Sequence, residues 1–174
     1  SRLEELQQSP SCPAVGSQVG YSHFIGELDA YMLVGMAKEN RIKETAEMLL
    51  REDYRVLKYG FLETELQRAK DALMERYERA VKEIDKTESS RFASEYVDNY
   101  LHQEPIPGAK RELNYAKKYL EGITLDEVNA LAKKWIVDEN FVVVVMAPEK
   151  EGVKVPSESE MIAIVKDKSL ANVE

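Results

Sequence analysis

Strand-forming residues are concentrated in two stretches near the start of the chain. Residues 1–8 have the pattern of a helix end, which Pro10 and Pro13 must terminate because proline cannot donate the helical hydrogen bond. Residues 15–25 are rich in Val, Tyr, Phe and Ile, and a second apolar stretch covers 30–37. Turn-forming residues lie between these two stretches, so the pattern predicts a β-hairpin.

Apolar residues after the hairpin recur every three or four positions, which is the period of an amphipathic helix. This pattern predicts one helix that begins near Lys38, with Asn40 as its N-cap and Gly60 just beyond its end. A second helix is predicted over 62–84, with one narrow apolar seam.

A third helix is predicted after residues that have the spacing of a capping box, Asp85 and Glu88. Its apolar residues fall on one face: Phe92, Ala93, Tyr96, Val97, Tyr100 and Leu101. Aromatic side chains in a row would suit a stacking groove, but their helical spacing favours a seam in the core. Two prolines and a glycine end this helix at 104–108.

The last part of the chain contains three more helical patterns and one apolar run. A short helix is predicted over 110–120, and two further capping boxes begin at Thr124 and Ser157. The helix after Thr124 should bury the face formed by Val128, Leu131, Ala132 and Trp135. The helix after Ser157 has its own apolar face, formed by Met161, Ile164 and Val165. Residues 141–147 lack alternation and are predicted to form a strand that is buried on both faces. The order of elements predicts an α+β fold, in which a helical layer packs on a small, mostly antiparallel sheet.

Composition and charge narrow the classes of function. The chain has 174 residues, of which 44% are hydrophobic and 32% charged, as expected of one globular domain. Its 24 basic and 32 acidic residues give a net charge of −8, which argues against a partner rich in phosphate, whether nucleic acid or anionic membrane. The longest apolar run, 141–148, is far shorter than the roughly 20 residues of a membrane span. The sequence begins at Ser1 within a helical pattern, so we expect a piece of a longer protein.

Few residues are suited to metal binding or nucleophilic chemistry. Cys12 is a single cysteine, which excludes an internal disulfide and a cysteine-based zinc cluster. The two histidines, His23 and His102, are 79 positions apart, and neither has a metal-ligand neighbour at helical spacing. Glu27 lies across a predicted turn from His23, and Glu104 follows His102 before the prolines. We therefore interpret both histidines as surface residues.

Glycines and paired carboxylates have structural interpretations. Gly16 and Gly20 lack the lysine of a phosphate-binding loop and, like Gly35, indicate bulges or close backbone approach in the hairpin. Most of the carboxylate pairs fall at predicted helix starts, where they complement the helix dipole: Glu63 and Glu65, Glu75 and Glu78, Asp126 and Glu127, Glu158 and Glu160. No nucleophile-elbow, P-loop or dinucleotide-binding motif is present in the sequence.

Five stretches, taken together and in this order, resemble one protein family. They are SRLEEL at 1–6; YGFLETELQRAK at 59–70; DKTES at 85–89 with EYV at 95–97; EPIPG at 104–108; and ITLDEVNALA at 123–132 with VVVVMAPEKEG at 142–152. The sequence is similar to the pitrilysin/insulinase-type zinc metallopeptidases, in particular their bacterial envelope branch. Each stretch alone is a generic helix or turn, but the matches cover nearly the whole chain.

The resemblance implies a fold and a role. Members of this family are built from related α/β half-domains, of which one carries the inverted zinc motif H-x-x-E-H and a further glutamate ligand. The others lack the motif and complete a chamber that encloses a peptide. The resemblance assigns residues 1–166 to the C-terminal part of a non-catalytic half-domain and 167–174 to a linker or tail. It also implies a periplasmic or cell-envelope location.

The sequence departs from the family pattern where zinc would bind. No two histidines lie four positions apart; at the matching helix stand Arg2, Glu4 and Glu5. By resemblance Glu75 lies in the segment that bears the third ligand, yet one carboxylate without histidines is a poor zinc site. The family's substrate-binding Arg–Tyr pair has no counterpart at 9–13. No catalytic, metal or cofactor residue is therefore assigned to this chain, and zinc is expected only in the parent protein.

Three hypotheses follow. In the first, the chain is an inactive fragment of a zinc metalloendopeptidase whose partners are the rest of the parent chain and a peptide substrate. In the second, it is a structural or regulatory subunit of a catalytically dead family member. In the third, it is a free-standing α+β interaction module. An H-x-x-E-H motif upstream in the parent sequence would distinguish the first from the second. Strands that precede Ser1 in the family would leave an open sheet edge here, through which the chain would self-associate.

Overall fold

The computed structural model of the chain describes residues 2–26, 28–137 and 139–173. It divides into two compact units, one of residues 1–60 and 129–174 and the other of residues 61–128. No helix within the described residues is both long and apolar enough to cross a membrane.

The first unit confirms the predicted hairpin and the α+β class. Helix α1 (Arg2–Gln7) leads to strands β1 (Ala14–Ile25) and β2 (Leu28–Ala37), which pair antiparallel. Tyr21 is opposite Tyr31 and Val19 is opposite Leu33 in the register. Register shifts occur near both ends of the ladder, at Ala14/Gly16 and His23/Ile25.

Helix α2 (Ile42–Tyr59) packs on one face of the hairpin. A Cβ atom at Gly35 of β2 would lie 2.7 Å from Thr45 Cγ2 and 3.0 Å from Leu49 Cδ1. Only glycine leaves room for this spacing, so the close backbone approach predicted at Gly35 is confirmed. Thr45 and Leu49 are both buried on the helix face that meets the strand.

A second hydrophobic cluster lies against other residues of α2. Met161 and Ile164 of α7 (Glu158–Val165) and Leu170 are buried together. Ala46, Leu50, Tyr54 and Val145 pack against this cluster. The predicted cap of α7 is confirmed, since Glu160 N–H donates to Ser157 Oγ and the Glu160 carboxylate accepts from Ser157 N–H.

The segment that we expected to be a linker or tail packs on α2. Residues Lys168–Ala171 form a short 3₁₀ helix in which Leu170 is 2% exposed, and Val173 is 4% exposed. Lys58 Nζ and Tyr59 OH both donate to the carbonyl oxygen of Val173, at 2.8 and 2.9 Å. The domain boundary at residue 166 stays a prediction.

The predicted N-cap of α2 is wrong, whereas its predicted end is confirmed. Asn40 has φ of 58°; its side-chain amide donates to Gly152 O (3.1 Å) and accepts from Lys154 N–H (2.7 Å). This side chain therefore holds a distant loop, and the helix begins at Ile42 instead. Gly60 follows the helix with φ of 71°, a conformation that favours glycine.

The second unit is helical. Helix α3 (Glu63–Lys82) packs against α5 (Ala109–Tyr119), and α4 (Ser89–His102) lies between them in the chain. Lys70 Nζ donates to the carbonyl oxygens of Ile123 (2.7 Å) and Glu121 (3.3 Å), which ties α3 to the turn after α5.

The capping box at Thr124 is confirmed. Thr124 N–H donates to the Glu127 carboxylate at 2.8 Å, and Glu127 N–H donates to Thr124 Oγ1 at 3.3 Å. It precedes α6 (Leu125–Trp135).

Two predictions for the second unit are wrong. The box at Asp85 and Glu88 does not form, because the chain closes a 3₁₀ turn at Ile84–Lys86 and Glu88 makes no side-chain cap. The apolar face of α4 is not a core seam, since none of its described side chains is buried. Tyr96 is 62% exposed and Tyr100 is 80% exposed.

The predicted buried strand over 141–147 is also wrong. The described residues of this segment have no ladder partner, and Val142 and Met146 are 87% and 91% exposed. An apolar run forms a buried strand only when neighbouring strands accept its hydrogen bonds and cover its faces. Here the hairpin forms a sheet of its own, and Val145 alone contacts the cluster on α7.

Trp135 is half-buried rather than a core residue. Its ring stacks on Tyr21 of β1, with centroids 4.3 Å apart and planes 10° from parallel. On the predicted buried face of α6 only Ala132 is buried, and Leu131 is 42% exposed.

Trp135→Ala should lower the free energy of unfolding by about 1–3 kcal/mol, less than removal of a fully buried tryptophan, because the side chain is already partly exposed. A urea-denaturation cycle with Tyr21→Ala should give a coupling energy of about 0.5–1.5 kcal/mol. Strictly additive losses would contradict the stack.

Val144→Pro should change the free energy of unfolding by less than about 0.5 kcal/mol, because its side chain is exposed and its backbone lies outside any ladder of the described chain. The matched control is Ala72→Pro, an exposed position inside α3, which should cost about 3 kcal/mol. Equal losses in chemical denaturation would show that residue 144 lies in an ordered strand.

Candidate functional site

The histidine that lies in the hairpin belongs to a small polar group at its tip. His23 Nδ1 lies 3.3 Å from Asp29 Oδ1, and Tyr21 OH donates to Asp29 Oδ2 at 3.2 Å. Desolvation, and then the nearby Asp29 carboxylate, raise the pKa of the Tyr21 hydroxyl. Glu27, the neighbour that we expected for His23, lies outside the described residues. The hairpin register places His23 opposite Asp29, so the pairing was available to sequence reasoning once the turn was located.

The other two residues of metal-ligating type, His102 and Cys12, do not belong to a group of potential metal ligands in the described part of the chain. His102 is exposed at the last position of α4. Cys12 is buried, and its Sγ lies 3.7 Å from Met48 Sδ, so it packs as a small apolar side chain. Among the described residues, no three His, Cys, Asp or Glu side chains are grouped in a way that could hold a metal ion.

The residues matched by resemblance to zinc-ligand positions do not fit zinc. Glu75 is exposed on α3, and its carboxylate lies 2.5 Å from Arg79 Nη2, one helical turn away. Arg2 Nη2 donates to the Gly60 carbonyl oxygen at 2.8 Å, and Glu4 and Glu5 are exposed on α1. These residues make surface ion pairs and ties between elements, and they supply no imidazole.

The carboxylates at two helix starts act as caps. Hydrogen bonds from the Ser157 backbone, and then the ammonium of Lys43 at 2.9 Å, lower the pKa of Glu160 to about 2. The backbone and side chain of Thr124 likewise lower the pKa of Glu127. Both groups are therefore held in the ionised form, which suits a cap and does not suit a general acid.

Sequence reasoning missed one polar contact between the hairpin and α2. Tyr31 OH donates to Asp53 Oδ1 at 2.8 Å, where the carboxylate is mostly buried. Burial raises the pKa of Asp53 to about 6, opposed by the Tyr31 hydrogen bond and assisted by the Glu52 carboxylate. Burial and Asp53 in turn raise the pKa of Tyr31.

A buried ion pair lies beside this contact on the same helix. Glu52 is 7% exposed and pairs with Arg55, one turn further along α2. The available signal was positional, because Glu52 follows buried Leu49 by three residues and precedes buried Val56 by four. A charged residue at such a spacing therefore occupies a position that normally belongs to the core.

An opening on the second unit has the wrong character for a ligand pocket. It is a shallow depression of about 300 Å³ beside the turn between α3 and α4. Its lining is mainly polar and charged: Ala80, Glu83, Lys86, Thr87, Glu88, Ser90 and Arg91. Small-molecule sites are usually more enclosed and predominantly apolar.

The hairpin has the geometry of a strand-accepting surface. In a two-stranded sheet each strand has one edge without a ladder partner in the described chain. On the face opposite the Gly35 contact, Val34 and Met36 are 50% and 61% exposed. Free backbone groups beside exposed apolar side chains can bind an extended peptide, because main-chain hydrogen bonds hold it and side-chain contacts select it.

Comparison with known proteins gives one relative in sequence and one in structure. A zinc protease PQQL-like protein of Arabidopsis thaliana is 30% identical over 95 residues, which is 55% of this chain and 10% of that protein. The crystal structure of the first half of the periplasmic protease PqqL from Escherichia coli superposes with a TM-score of 0.77 and 17% identity. The match covers 99% of this chain and 37% of that one. No family model matches the chain.

These matches confirm the predicted resemblance to a pitrilysin/insulinase-like metallopeptidase half-domain, in sequence over part of the chain and in fold over almost all of it. The chain spans about a tenth of the length of the plant protein and just over a third of the bacterial structure.

The contribution of Asp53 to the free energy of unfolding should fall as pH rises from about 4 through 6, because folding raises the pKa of Asp53 from its ordinary value of 3.8 to about 6. The folded state binds the extra proton in this window, so stability is greatest below pH 4 for this group and is lost above pH 6. Asp53→Asn should remove that loss, and it should gain more over the wild type at pH 7.5 than at pH 4.5. Tyr31→Phe should move the transition to higher pH, because the carboxylate loses its donor. Urea denaturation across this range checks all three proteins, and identical pH profiles for wild type and Asp53→Asn would contradict the assignment.

Proposed function

We propose that this chain is a non-catalytic part of a zinc metalloendopeptidase, where it forms part of the wall of a peptide-enclosing chamber. The observation that carries the proposal is the superposition of almost the whole chain on part of a periplasmic protease. Sequence similarity to a protein named as a zinc protease supports the same class. By the same argument the parent protein acts in the periplasm or cell envelope.

Zinc in this proposal is bound by another part of the parent protein. The two histidines of this sequence are 79 positions apart, and no H-x-x-E-H is present. When bound, zinc would supply an activated water for peptide hydrolysis. Arg2 and Glu75, which stand near the ligand positions by resemblance, instead contact Gly60 and Arg79.

The contribution of this chain is contact with the peptide through the hairpin. The strand edges offer backbone N–H and C=O groups, and Val34 and Met36 add exposed apolar surface beside them. Such contacts hold an extended substrate without regard to most of its side chains, which suits a protease that encloses unstructured peptides.

The proposal is tested with the parent polypeptide and an unstructured fluorogenic peptide. We expect cleavage that a chelator abolishes and that added zinc restores. Within the parent, Val34→Asp should raise KM several-fold with kcat nearly unchanged, because it weakens contacts that the ground state and the transition state share equally. Val137→Asp, at a similarly exposed position after α6, is the matched control and should change neither constant.

A parent that folds and binds peptide but shows no chelator-sensitive cleavage would favour the second candidate, a structural or regulatory subunit. We retain this second candidate because the sequence contains no zinc motif. Equal effects of Val34→Asp and Val137→Asp would show that the hairpin does not contact the peptide.

The isolated chain should neither bind zinc tightly nor cleave peptides. Calorimetric titration at neutral pH should show no one-to-one site of submicromolar affinity, because the described residues contain no ligand cluster. Chelator-sensitive activity that survives two independent purification routes would overturn this prediction.

We also propose that the isolated chain self-associates through its sheet edges. Both hairpin strands have an edge without a ladder partner in the described chain, and residues 141–144 and Met146 are apolar and exposed. Light scattering should show association that rises with concentration. A wild type that stays monomeric at high concentration contradicts this proposal.

A further inference from the structure

Helix α4 is half apolar, and the large side chains of that half are exposed. Its large apolar side chains are all exposed: Phe92, Tyr96, Val97, Tyr100 and Leu101. At 100° per residue, these positions and Ala93 occupy about half of the helix circumference. Arg91, Glu95 and Asp98 lie on the other half. We call the apolar half the α4 face.

The α4 face differs from the scattered exposed residues of an ordinary surface. Five large side chains are contiguous over three helical turns, and two of them are tyrosines, a residue type enriched in protein interfaces. Tyr115 and Tyr119 of helix α5 are also exposed, but their rings contact other side chains. Those two rings tilt together, and Lys118 Nζ lies 4.9 Å from the centroid of Tyr119.

The charges around the α4 face restrict what can cover it. The helix and its flanks, residues 83–104, carry six carboxylates and two basic side chains: Glu83, Asp85, Glu88, Glu95, Asp98 and Glu104, against Lys86 and Arg91. A second copy on this face would bring like charges together. An anionic lipid surface would be repelled, and the polar half of α4 carries one arginine, Arg91, and no lysine, whereas membrane-surface helices are rich in both.

We propose that the α4 face is a docking surface for another polypeptide, one that presents an apolar strip bordered by lysine or arginine. The aromatic side chains would supply the buried centre of the contact, and the surrounding carboxylates would pair with the basic border. This surface is separate from the hairpin residues proposed above for peptide contact, and it is independent of where zinc binds.

Three synthetic peptides test the proposal. The first is an amphipathic helix of leucine and lysine; the second has the same composition with the leucines scrambled; the third carries glutamate in place of every lysine. The intact chain should bind the first peptide in a salt-dependent manner, and the other two at least about tenfold more weakly. Equal binding of the scrambled peptide would overturn the proposal, because charge alone would then explain the contact.

Paired variants locate the contact. Tyr96→Ser with Tyr100→Ser should weaken binding of the first peptide about tenfold or more. Tyr115→Ser with Tyr119→Ser, exposed tyrosines on α5, should leave it unchanged. Glu95→Gln with Asp98→Asn should weaken binding several-fold and reduce its salt dependence. Equal losses in the two tyrosine double variants would overturn the assignment to α4.

Three further outcomes would contradict the proposal directly. A lower Tm for the Tyr96, Tyr100 double variant would show that the face packs within the chain itself. Loss of concentration-dependent association in that variant, measured by sedimentation, would make a second copy the occupant. Co-sedimentation with phosphatidylglycerol vesicles, abolished by the same two substitutions, would make it a membrane contact.

Discussion

The contact between β2 and α2 is the constraint on which the first unit depends. Gly35 lets the helix approach so closely that a single added carbon would lie 2.7 Å from Thr45. At this spacing Leu49 is buried by the strand, and Tyr31 reaches Asp53. Met161, Ile164 and Leu170 pack against other residues of α2, so a shift of the helix would disturb both sets of contacts. The hairpin is a pair of strands with no other sheet to join in the described chain, so its position depends on the helices that pack against it, α2 among them.

Features with a local cause could be predicted from the sequence. The hairpin follows from strand-forming stretches around a turn, and the boxes at Thr124 and Ser157 form because their partners are three residues away. Asn40 looked like a similar local signal, but its amide holds Gly152 and Lys154, more than a hundred positions distant. The run at 141–147 and the α4 face have the composition of core elements, yet burial needs a partner surface, and composition does not show whether the partner lies in the same chain.

The assignment of no zinc residue to this chain rests on the spacing of its two histidines and stays a prediction. Glu75, which the sequence indicated as a solvated helix residue, is exposed and pairs with Arg79. The Tyr31–Asp53 contact could not be located, because it joins residues 22 positions apart across a strand and a helix. The raised pKa of Asp53 arises from burial, which only the packed hairpin creates. The resemblance to a metallopeptidase half-domain rested on several weak stretches in a fixed order, and order along the chain is what a shared fold preserves.

The last turn of α2 and the glycine after it contact residues near both described ends of the chain. Arg2 donates to the carbonyl oxygen of Gly60, while Lys58 and Tyr59 hold the carbonyl oxygen of Val173. Both contacts are made to residues 58–60, so displacement of this one turn would release Arg2 and Val173 together. Local unfolding of the two segments is therefore coupled through the end of α2, although they lie at opposite ends of the described chain.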